Sequence, residues 1–342
     1  MSKPIAEQVV VITGASSGIG REAALLFGKA GASVVLTARN EDALHAVAGM
    51  IEQAGGRALV VPADVTDWEQ VQQVAKSAVD TFGRIDTWVN NAGISVYATA
   101  EDTTVEEAHQ VMHTNFMGMV HGVSAALPYM KRQGGGTIIN VGSVESQRSL
   151  PLQSVYAASK HAVKGYTEAL RLEQEAANSG IHVTLIMPAG INTPLFNHAR
   201  SKLGVKPMPM PPVYTPELAA SAIVNAAQSP QRDIYVGGAG FLFWLLQRLS
   251  PRLLDKMMIT NKAMFRLQMT NEPDDGQDNL FQPVNGTGRV HGDFQKLTKP
   301  SLYTPLLELT PRWLRNAIFL TLPLSIVASV LYKNRQAIKH GA

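Results

Sequence analysis

An α/β fold with a doubly wound parallel sheet of about seven strands is predicted by three features of the sequence. Short apolar runs alternate with helix-length segments over residues 1–240, the runs lack strict polar alternation, and a glycine-rich turn follows the first run. The runs are Val9–Thr13, 33–38, 58–62, 86–90, 137–141, 182–187 and Asp233–Val236. They are rich in valine and isoleucine, as strands buried on both faces of a parallel sheet must be. Residues 21–30, Trp68–Phe82 and 156–178 place apolar residues at helical spacing between those runs. The pattern changes near residue 240, where 240–249 is apolar and helical in character. Residues 271–300 are polar, acidic and glycine-rich, which predicts a linker or long surface loop. Two parts follow: an α/β domain over 1–240 and an extension over 241–342.

Composition removes several function classes. Apolar residues make up 45% of the 342, enough to bury a core, so a disordered chain is excluded. The net charge of +3, without blocks of like charge, predicts no nucleic-acid partner. The absence of cysteine excludes disulfides, thiolate metal sites and cysteine nucleophiles. Pro4, Glu7 and Gln8 interrupt any leader-like apolar core at the start, so a cytoplasmic protein is expected. His109 and His113, with Glu106 nearby, do not supply the pattern of a zinc site, and no metal is expected.

The turn after the first run reads Thr13-Gly14-Ala15-Ser16-Ser17-Gly18-Ile19-Gly20. Glycines there let a strand turn tightly into a helix and bring backbone N–H groups close to a pyrophosphate at the positive helix end. Further on, Tyr156 and Lys160 stand at i and i+4, on one helix face, with Ser143 thirteen residues upstream at the end of a run. A free tyrosine titrates near 10. An ammonium at ~4 Å in an effective dielectric of ~20 favours phenolate by about 4 kcal/mol. Before desolvation opposes it, that attraction brings the phenol toward about 7, where a general acid/base works.

The segment 13–20 resembles the cofactor fingerprint of the short-chain dehydrogenases/reductases, and the resemblance continues in order over about residues 5–240. Asp64 and Val65 follow the third strand, where the family contacts adenine. Asn90-Asn91-Ala92-Gly93 matches the family's N-N-A-G, and Asn115, Ser143, Tyr156 and Lys160 match its catalytic tetrad. Residues 188–193 look like the P-G-x-x-x-T turn, except that Ala189 separates Pro188 from Gly190. The resemblance implies cofactor contacts from Gly14, Ser16, Ser17, Gly18, Ile19, Gly20, Asn91, Ala92, Gly93, Pro188, Gly190 and Thr193. It further implies that Tyr156 exchanges the proton, Ser143 orients the substrate oxygen, and Lys160 holds the nicotinamide ribose and lowers the tyrosine pKa. Asn115 is implied to position a water linking Lys160 to solvent, and a homo-oligomer is implied through helices on one face of the sheet.

The second run ends in Ala38 followed by Arg39, with no carboxylate to accept from a ribose 2′-OH. An arginine grips a 2′-phosphate with paired charge-assisted bonds, so NADP(H) is expected over NAD(H). Arg21, in the first helical turn, either assists or faces water. By the same resemblance the loops 94–99, 144–152 and 192–214 wall the substrate pocket. The last contains Lys206-Pro207-Met208-Pro209-Met210-Pro211-Pro212, either a mobile apolar lid or a loop covering its own core. Glu145 and Arg148 either recognise polar groups or face water.

In the extension, residues 317–332 carry no charge. As a helix they span about 24 Å, short of the ~30 Å hydrocarbon core of a bilayer. An apolar helix is expected over 313–332, attached to a membrane or packed on protein. The expected function is an NADP(H)-dependent oxidoreductase interconverting a carbonyl and a secondary alcohol, on a small-molecule, lipophilic substrate. The alternative is an NADP(H)-binding regulatory or membrane-associated scaffold with little catalysis.

Overall fold

The computed structural model describes residues 3–301 together with 303 and 304. Seven strands form the central sheet: β1 (Val9–Thr13), β2 (Ser33–Thr37), β3 (Arg57–Val60), β4 (Thr87–Asn90), β5 (Gly136–Val141), β6 (Ile181–Pro188) and β7 (Asp233–Val236). Their order is β7-β6-β5-β4-β1-β2-β3, and every neighbouring pair is parallel. β1 and β2 are buried at every position, as their unbroken Val/Ile/Leu runs require. β3 is an edge strand, and its residues range from half-buried to exposed.

The strand order reverses between β1 and β4, which opens a crevice at the carboxyl ends of the strands. Val11 pairs with Val35 on one side and Trp88 on the other, which holds the two flanking loops at one level. Helices α1 (Gly18–Lys29), α2 (Glu41–Gln53), α3 (Trp68–Phe82), α4 (Val105–Met112), α5 (Gly118–Arg132), α6 (Ser154–Ala176) and α7 (Pro216–Gln228) follow the strands. α1 packs against α2 and α7, and α3 packs against α5. Beneath α1 and α7 lies a core that includes Val10, Ile12, Phe27, Leu36, Ile186 and Ile223. Caps set the helix starts: Asn40 accepts from the Ala43 amide at 2.9 Å, and Thr104 with Glu107 closes a capping box on α4.

The extension begins with α8 (Gly238–Leu249) and α9 (Pro251–Ile259). Leu254 and Met258 join Leu150, Met210 and Phe243 in a small apolar cluster. Met269–Pro273 then pairs antiparallel with Val205–Pro207, and the Met208 amide donates to Gln268 O at 3.0 Å. The methionine–proline loop is thus packed against the extension. Residues up to Ser301 form one compact unit with the sheet, and 302–342 fall in a second. Residues 271–300 are largely irregular, and several of them line the cavity at the carboxyl edge of the sheet. The apolar helix expected over 313–332 lies outside the described residues. Among the described residues, no helix is long and apolar enough to cross a membrane.

Candidate active site

The crevice holds a cavity of about 560 Å³ that runs from the glycine turn to α6. Every site residue expected from the sequence lines it except Gly20 and Asn115, which lie just behind its wall. The glycine turn depends on its glycines. Gly14 and Gly18 have φ of +67° and +54°, and a Cβ on Gly20 would lie 2.3 Å from the Gly14 carbonyl oxygen. The 90–93 turn is stitched onto it. Thr13 Oγ1 accepts from the amides of Asn91 and Ala92 at 3.0 and 3.1 Å, while Asn91 Nδ2 donates to Thr13 O at 3.0 Å. Gly18 and Ile19, which open α1, line the cavity floor, and the Gly18 amide donates to Arg289 O at 3.0 Å.

At the other end, Ser143 follows β5 and its Oγ accepts from the Glu145 amide at 3.1 Å. The Tyr156 phenol lies beside the Ser143 hydroxyl, whose polar contact draws its pKa down. One turn along α6, Lys160 Nζ sits 5.6 Å from the Tyr156 ring centre and donates to Val141 O at 2.9 Å. Asn115 comes from a π-helical turn, His113–Met117, between α4 and α5. It accepts from the Ile94 amide at 2.8 Å and donates to Ser159 Oγ at 3.0 Å. π-turns of this kind recur at functional sites because they re-aim one side chain within a helix. A Cβ on Gly93 would contact both Asn115 Oδ1 and Lys160 Nζ, so the two groups flank the same glycine.

Electrostatics here departs from the spacing argument. Burial pushes the Tyr156 phenol well up, the Glu145 charge adds to this, and only the Ser143 hydroxyl opposes it. Burial lowers Lys160 to about 8 against the attraction of Glu145. Burial raises Glu145 to about 8, against a bond from the Leu150 amide and the Lys160 charge. Desolvation therefore sets the direction of the phenol's shift, opposite to the one the Tyr–Lys spacing suggests. At neutral pH the phenol is protonated, the ammonium is mostly charged and Glu145 is mostly neutral.

Several other residues form part of the site. Glu145 and Tyr97 line the cavity at 4% and 1% exposure, and each buries a side-chain oxygen with no partner among the described residues. Both sit in loops expected to wall the pocket, but their burial has no sequence signature. Arg148 also lines the cavity, and its guanidinium pairs with Asp255 and donates to Gln247 Oε1 at 3.1 Å, both in the extension. Arg39 reaches the cavity, and its guanidinium donates to Asn279 O at 2.6 Å and Phe281 O at 3.1 Å. Thr193 packs its Cβ toward Gly18, where the turn after β6 meets the glycine turn. Asp64 Oδ1 accepts from the Thr66 amide and hydroxyl at 2.9 and 2.8 Å, which fixes the turn beyond β3.

The model of the short chain dehydrogenase family matches residues 8–204. The chain belongs to that family. This short chain dehydrogenase is 42% identical over 273 residues to the uncharacterized oxidoreductase YxnA of Bacillus subtilis, covering 79% of this chain and 76% of that one. It is 36% identical over 263 residues to dehydrogenase/reductase SDR family member 7B of Bos taurus, covering 73% and 80%. A short chain dehydrogenase/reductase from Burkholderia phymatum, in complex with NAD, aligns with TM-score 0.65 and 27% identity over 72% of this chain and 95% of that one. An alcohol dehydrogenase from the archaeon Thermococcus sibiricus, complexed with 5-hydroxy-NADP, aligns with TM-score 0.58 and 26% identity, covering 67% and 94%. This short chain dehydrogenase is therefore an oxidoreductase by family. Its neighbours carry both types of nicotinamide cofactor, so the choice between them rests on local residues.

Proposed function

We propose that the protein is an NADP(H)-dependent oxidoreductase that interconverts a carbonyl and a secondary alcohol on an apolar substrate, with Tyr156 as general acid/base. One observation carries this reading: the Tyr156 phenol beside the Ser143 hydroxyl, with Lys160 one turn away, at the end of a cavity that begins at a glycine turn. The residues fit a dinucleotide. Gly14 and Gly18 take left-handed φ and Gly20 has no room for a Cβ against Gly14 O, so the turn stays tight where it lines the cavity at the start of α1. Arg39 at the cavity wall, with no carboxylate at the end of β2, favours a 2′-phosphate.

When bound, the nicotinamide exchanges hydride with the substrate carbon. The protein manages the oxygen. Ser143 donates to it and fixes its position, and Tyr156 delivers a proton to it in reduction or removes one in oxidation. Burial keeps the phenol protonated, the form that reduction needs. Lys160 holds positive charge nearby, which makes loss of the phenolic proton less costly as it transfers. Asn115, held rigidly through Ile94 and Ser159, buttresses Gly93 and the lysine end of the site. Ile94, Leu150, Met210 and Phe243 supply an apolar wall for the substrate frame. A panel of apolar ketones and aldehydes, assayed by NADPH oxidation against NADH, tests the reading. Turnover with NADPH preferred is expected; activity with neither cofactor across the panel contradicts it.

A further inference from the structure

Residues 279–292 look like part of a linker, yet their polar contacts concentrate on the dinucleotide end of the cavity. The two carbonyls that hold the Arg39 guanidinium are Asn279 and Phe281. Asn40 Nδ2 donates to Val284 O at 2.6 Å and Gly286 O at 3.0 Å. Arg21 donates to Thr287 O, and the Gly18 amide donates to Arg289 O at 3.0 Å. The Gly292 amide closes the run on Asn192 O at 3.2 Å, beside Thr193. The anchors are thus the glycine turn, the first turn of α1, the end of β2 and the turn after β6. Gly288 has φ +67°, and a Cβ there would lie 2.2 Å from the Ser16 carbonyl oxygen. The segment and the glycine turn meet backbone to backbone, and only glycine fits.

The segment lines the cavity as well as touching its floor. Residues 283–289 line the same 560 Å³ space as Gly14, Ser143 and Tyr156, so that space continues along the inner side of the segment. Its anchors are main-chain carbonyls set against amide and guanidinium donors, contacts that break and reform without rearranging a core.

We propose that residues 279–292 are the second half of the dinucleotide site, a strap that closes over the adenosine and pyrophosphate portion of the cofactor and lifts for each exchange. The proposal rests on reading the cavity as a nicotinamide dinucleotide site. It makes cofactor release, and not only affinity, a property of the extension.

The full chain is tested with NADPH in two ways. Hydrogen exchange of the amides in 283–292 slows about tenfold or more on adding NADPH if the strap closes over it. Release of NADPH, followed by stopped-flow displacement, quickens about tenfold or more in two variants. Gly288→Val drives the strap off Ser16. Asn40→Ser removes the two bonds to Val284 and Gly286 while keeping a good cap on α2. Faster exchange of 283–292 on adding NADPH overturns the proposal, because the segment is then displaced by the cofactor. Release unchanged within about twofold in both variants, with or without a lower melting temperature of the cofactor-free chain, also overturns it. Wild-type protein that binds neither NADPH nor NADH removes the dinucleotide reading and the strap with it. Binding by wild type with unaltered release in the variants removes the strap alone.

Discussion

Arg39 decides the cofactor in the proposed reading, and it does so from a defended position. Two of its donors are spent on carbonyls at 279 and 281, which hold the guanidinium at the cavity wall. Arg39→Asp replaces an attraction for a 2′-phosphate with a repulsion. A charge-assisted pair contributes about 1.5–3 kcal/mol, so the NADPH-to-NADH ratio of kcat/KM is expected to fall by about 100-fold. An unchanged ratio in steady-state assays contradicts the assignment. Glu145 makes a different demand. Its carboxyl titrates near 4.5 when unfolded and is raised to about 8 by burial. The folded state then holds a proton that the unfolded chain releases, so its contribution to stability is full below about 4.5 and is lost as pH rises toward 8. Glu145→Gln is therefore expected to gain stability relative to wild type between pH 5 and 8, by a few kcal/mol in order of magnitude. Parallel pH profiles in denaturant melts contradict it. Catalysis follows the same groups. Lys160, lowered to about 8, loses its charge above that pH while Glu145 gains one. Both changes make Tyr156 a poorer acid, so kcat/KM for reduction is expected to hold through neutrality and fall above pH 8.

The glycine turn, the π-turn carrying Asn115 and the long α6 are the elements that bring distant residues together. Gly20→Ala places a methyl 2.3 Å from Gly14 O and 2.4 Å from Asn91 Nδ2. Both atoms belong to turns that line the cavity, so in the proposed reading NADPH affinity is expected to drop about tenfold or more in fluorescence titration, against unchanged affinity if the turn is passive. These elements were largely readable from residue patterns. The buried strands announce themselves as unbroken apolar runs, and β1, β7 and α3 match their expected limits. β3 is Arg57–Val60 against the expected 58–62, and β5 and β6 each begin one residue before the expected 137 and 182, because strand ends are set by ladder pairing and not by apolar character. The i, i+4 pairing of Tyr156 with Lys160 was plain, but the sign of the phenol's shift was not. Spacing gives the Coulomb attraction alone, while burial depends on Glu145, Tyr97 and the loops around them.

For the molecule as a whole, the extension is part of the enzyme body up to Ser301. A buried chain of amides fastens it: Gln153 Nε2 donates to Gln268 Oε1 at 2.8 Å, and Gln268 Nε2 reaches Pro151 O at 3.1 Å. Gln268 is fully buried and Gln153 lines the cavity, so the pocket and the extension are braced together. A chain cut after Gly237 loses Leu254 and Met258 from the apolar cluster under Leu150. It is expected to aggregate or melt well below the full chain, whereas a cut after Thr304 retains a cooperative transition in calorimetry. No sequence pattern marked this. Residues 271–300 have neither period nor apolar run, and the one hint was the glycines at 286, 288 and 292, which serve close backbone approach as well as flexibility. The measurement that bears most directly on the proposed chemistry is Tyr156→Phe, assayed in parallel for NADPH-coupled carbonyl reduction and for NADPH binding. Loss of turnover by about a thousandfold or more with binding retained is the expected result. Turnover close to wild type would show that the phenol beside Ser143 is not the proton donor.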